Sequence, residues 1–145
     1  DLDLVAPDVF VKGNEVVLMT EMDSHGLLKD YTLEELQGPL SAKCEEPETF
    51  EIDVPSGAIV VNIAYNATPE EGSTTDHLDK LCWHNRLPFL PKEPPKEPYY
   101  AKDAKNPEWR GHCIVPVKPG RYAIEMGSID GPEGEFMRVV LRPKK

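Results

Sequence analysis

At 145 residues and 39% hydrophobic side chains, the chain is long enough to bury a core within one domain and needs no metal or disulfide in order to fold. A net charge of −10 and basic residues scattered along the sequence exclude the dense cationic stripe that phosphate neutralisation requires, so nucleic acid is not an expected partner. No apolar run approaches the ~20 residues that cross a bilayer as a helix, so no membrane span is expected.

Fifteen prolines and ten glycines among many Val, Ile, Thr and Tyr argue for short strands joined by turns. The chain opens at Asp1 without an initiator methionine, and Asn66-Ala67-Thr68 matches the N-glycosylation sequon. Together these set the expectation of an exported protein, whether secreted, periplasmic or at a cell surface.

In chain order, Val9 to Val11, Gly13-Asn14 and Val16 to Met22 read as a hairpin with a glycine turn, ended by Asp23-Ser24-His25-Gly26. Thr32-Leu33-Glu34-Glu35 has capping-box spacing and predicts a short helix from Leu33 to Gln37, stopped by Gly38-Pro39. Phe50, Ile52 and Val54 alternate with Glu51 and Asp53, the period of a half-exposed strand. After Pro55-Ser56-Gly57, Ala58 to Tyr65 carries apolar residues on both faces and reads as the central strand. Thr75 to Leu81 fits a second short helix. Beyond Trp109, Cys113 to Val117, Tyr122 to Met126 and Phe136 to Leu141 alternate as strands, with turns at Lys118-Pro119-Gly120 and at Asp130 to Gly134. The sum is an all-β chain: a single antiparallel β-sandwich domain over 1–145, of about seven strands, with one or two short helices and a long Pro-rich irregular loop at 85–111.

Charge is divided unevenly. Residues 1–79 hold 18 acidic and 3 basic side chains, and residues 80–145 hold 8 acidic and 13 basic. If strands of the two halves interleave, this is internal complementarity; otherwise it makes a bipolar surface suited to self-association.

Cys82-Trp83-His84 and His112-Cys113 bracket the Pro-rich loop. Four soft ligands suit tetrahedral zinc, yet neighbours on a strand point to opposite faces, which separates His112 from Cys113. A disulfide between Cys82 and Cys113 needs only one pair and would clamp the loop. Blue copper is excluded because no histidine follows Cys113. Asp23, Ser24 and His25 are consecutive and cannot form a through-space triad, and Gly-x-Ser-x-Gly is absent. Asp130, Glu133 and Glu135 do not match a calcium loop and read as a solvated hairpin turn, as Glu45, Glu46 and Glu48 read as a solvated charge run.

Within the loop, Trp83, Phe89, Tyr99, Tyr100 and Trp109 mix with Arg86, Lys92, Lys96, Lys102, Lys105 and Arg110. Aromatic and cationic side chains on a fixed scaffold are what protein and sugar surfaces use. The expected function is therefore a non-enzymatic binding module with no cofactor, taking a protein or carbohydrate partner through Trp83, Arg86, Phe89, Lys92, Lys96, Tyr99, Tyr100, Trp109 and Arg110. The alternative from a different class is a zinc-dependent enzyme or metal-binding domain using His77, His84 and His112 with a carboxylate such as Asp76 or Asp79. A third is an accessory subunit of a larger assembly, with the loop as interface.

Overall fold

The computed structural model describes residues 2–6, 9–21, 31–55, 57–62, 96–100, 112–132 and 134–144. These residues are all-β in class. Nine strands and one helix run in the order β1 (Asp3–Ala6), β2 (Val9–Lys12), β3 (Glu15–Glu21), α1 (Leu33–Ser41), β4 (Glu48–Val54), β5 (Ala58–Asn62), β6 (Tyr99–Tyr100), β7 (His112–Pro116), β8 (Gly120–Asp130) and β9 (Glu135–Pro143). They form a six-stranded sheet ordered β1-β2-β3-β9-β8-β4 and a three-stranded sheet ordered β5-β7-β6. The contacts group into two compact units, one of Asp1–Glu51 with Tyr122–Lys145 and the other of Ile52–Arg121.

In the first unit, Lys12 pairs with Glu15, which leaves the expected two-residue turn at Gly13-Asn14, with Gly13 in the left-handed region at φ 58°. β3 then pairs with the distant β9 from Val16 opposite Leu141 to Glu21 opposite Phe136, and β9 pairs with β8 along Tyr122 to Asp130. Period-two alternation gives each strand two different faces. One face carries Phe10, Val17, Met19, Phe136 and Val140, which pack with Leu36 of α1 and with Leu2, Tyr31 and Leu40. Tyr31 meets Phe136 edge-on, with ring centres 5.6 Å apart. Val9, Val16, Ile124, Val139 and Leu141 alternate with these residues and are also buried, as is Tyr122.

The capping box forms as predicted: the Glu35 amide donates to Thr32 Oγ1 at 3.1 Å, and the Thr32 amide donates to Glu35 Oε1 at 3.0 Å. The helix does not stop at Gln37, however; it runs through Gly38-Pro39 to Ser41. Two effects permit this. Gly38 has no Cβ to collide with the proline ring, which removes part of the usual penalty on the residue before proline. The terminal carbonyls are also satisfied, because Arg138 of β9 donates to the Pro39 and Leu40 oxygens at 2.9 and 3.3 Å. Ser41 Oγ donates to the Gln37 carbonyl at 2.7 Å. Leu36 and Pro39 are the buried residues of the helix.

In the second unit, β7 lies between β5 and β6, and Cys113, Ile114 and Val115 are all 0% exposed. A strand buried on both faces is apolar without alternation. The central strand of this sheet is thus β7, not Ala58 to Tyr65; β5 is the edge that pairs along it from Ala58 opposite Pro116 to Asn62 opposite His112. Gly57, at φ 82°, turns the chain into β5 and accepts from the Val117 amide at 2.9 Å.

The count exceeds the expected seven because β1 and β6 have four and two residues, too few to show a period. The second predicted helix, Thr75 to Leu81, lies outside the described residues. The uneven charge resolves as internal pairing at several points: Arg121 meets Asp53 at 2.9 Å, Arg142 meets Glu15 at 3.7 Å, and Lys144 meets Glu51. In each pair a cation of the C-terminal half meets an acid of the N-terminal half.

Two substitutions test this architecture by urea unfolding. A Cβ at Gly131 would overlap the Phe136 ring, which is 1% exposed and fixed by Tyr31, so Gly131→Ala is expected to lower stability by about 1–3 kcal/mol. Thr32→Ala removes the cap and is expected to lower it by about 1 kcal/mol.

Candidate functional site

Of the residues that the sequence assigns to binding, Lys96, Tyr99 and Tyr100 are described; Trp83, Arg86, Phe89, Lys92, Trp109 and Arg110 lie outside the described residues. The expected irregular loop contains a strand. Tyr99 and Tyr100 form β6, with Tyr99 opposite Ile114 and Tyr100 opposite Cys113, on the edge of the three-stranded sheet. Lys96, Glu97 and Pro98 lead into it and are exposed. Tyr99 is 44% exposed, whereas Tyr100 is half-buried, the alternation a strand imposes on neighbouring side chains. Among the described residues, Leu4, Leu33 and Tyr99 are the large hydrophobic side chains exposed to solvent, and Tyr99 alone of these is aromatic.

The edge has a rigid backing. Cys113, opposite Tyr100, is 0% exposed, and burial pushes its thiol up to about 12 from an ordinary 9.0. Cys113 is a free thiol, so the disulfide expected between Cys82 and Cys113 does not form; Cys82 lies outside the described residues. The physical reason is position: Cys113 occupies a core place in a strand paired on both sides, where it acts as a small apolar residue. Cys44 is also a free, buried thiol; it donates to the Ser128 carbonyl at 3.7 Å and sits in the space left by Gly127.

His112 lies on β7 opposite Asn62, and the other two histidines of the expected zinc set, His77 and His84, lie outside the described residues. Among the described residues no group of three His, Cys, Asp or Glu side chains could hold a metal.

Sequence reasoning missed Arg138 and Glu125. Arg138 is 3% exposed, on the face formed by Phe136 and Val140, and its Nη2 lies 3.3 Å from Glu125 Oε1. A signal for it existed: an arginine at a core position of the alternation, in a chain whose helix has no basic residue in its last turn.

The chain matches no family model, no curated protein and no solved structure among known proteins.

Burial of Cys113 makes a reactivity prediction and a pH prediction. Native protein at neutral pH should leave Cys113 unlabelled by a thiol reagent and expose it to labelling in urea; rapid labelling of the Cys113 peptide in the native chain, read by mass, would contradict this placement. In the unfolded chain the thiol ionises from its ordinary value while the folded thiol stays protonated. Its stabilisation is therefore complete below pH 9.0 and lost as pH rises towards about 12. Tyr122, raised from 10.0 by burial, acts in the same direction. Urea midpoints should fall between neutral pH and pH 10 by the equivalent of about 1 kcal/mol, less so in Cys113→Ala.

Proposed function

We propose that the chain is a binding module that recognises a protein or carbohydrate partner at the β6 edge of the small sheet and the aromatic, basic sequence around it. The observation that carries the reading is Tyr99, a large aromatic ring 44% exposed on a strand whose neighbour β7 is buried on both faces. An exposed ring loses little side-chain entropy on contact, because it has few rotatable bonds and its strand already fixes the backbone. Lys96, three residues earlier and exposed, adds a donor and a positive charge to the same approach. Sugar rings stack on such aromatic faces, and protein partners use tyrosine as an anchor.

The test screens the full chain against a glycan array and a phage-displayed random peptide library. One of the two should yield ligands whose affinity falls at least about tenfold in Tyr99→Ala and less in Lys96→Ala. Tyr99→Ala should still unfold in one cooperative transition, since Tyr99 is 44% exposed and not among the buried core residues. Absence of ligands from both screens, or ligands indifferent to Tyr99→Ala, would overturn the reading.

A further inference from the structure

We draw no further inference here: the strongest candidate, the outer edge of β1 at the end of the six-stranded sheet with Leu4 exposed on it, carries none because nothing among the described residues shows what covers it.

Discussion

A single buried guanidinium sets the geometry of the first unit. Arg138 stands on β9 among Phe136 and Val140, where period-two alternation requires an apolar residue, and it is accommodated because the end of α1 presents two carbonyls to it and Glu125 a carboxylate. The dependence runs both ways. The last turn of α1 contains no basic residue, so the negative end of the helix dipole and its unpaired carbonyls have to be met from elsewhere. Arg138 meets them from a strand about a hundred residues later in the chain, which fixes the end of α1 over the sheet. Apolar packing alone would tolerate a slide of the helix, because Leu36 and Leu40 against Phe10, Val17 and Met19 are not directional.

Fixing the end of α1 also fixes the chain that leaves it. Three residues after Ser41, Cys44 settles into the space that Gly127 leaves on β8, with no room for a Cβ beneath the thiol. Gly127 lies opposite Arg138 in the β8–β9 register, so the glycine and the arginine are one device read on adjacent strands. The first strands of the chain are likewise held by the last, since β3 pairs with β9 and not with a strand near it in sequence. This topology explains the uneven charge. Acids from the N-terminal half and cations from the C-terminal half face one another at Glu15 with Arg142 and at Glu51 with Lys144. Such exposed pairs contribute little to stability, but they avoid the repulsion that a segregated arrangement would impose.

What was legible in the sequence is what is local. The Gly13-Asn14 turn and the Thr32 to Glu35 capping box involve groups within four residues of one another, and both formed as read. The strand alternations from Phe50 onward were legible for the same reason. The order of strands was not, because which strand becomes central depends on which strands pair with it, and β7 takes β5 on one side and β6 on the other. The helix end was misread because Gly38-Pro39 is a stop signal only when nothing else satisfies the carbonyls, and Arg138 does. The candidate site was legible in part. Composition pointed to Tyr99 and Tyr100, but a two-residue strand carries no periodicity that could have placed them on a sheet edge.

The correction at Cys113 changes how the candidate site is held. A disulfide would have fixed the Pro-rich segment by one covalent link at its base, and left the residues between to find their own order. In the structure, Tyr99 and Tyr100 are ordered directly, by pairing with Ile114 and Cys113 of a strand that is itself paired along its other side by β5. The cysteine still serves this arrangement, by filling core volume on the inner strand instead of forming a bond, and its burial keeps it protonated and out of redox chemistry. Preorganisation of the exposed ring thus comes from backbone pairing on a buried strand, a source of order that does not depend on the oxidation state of the surroundings.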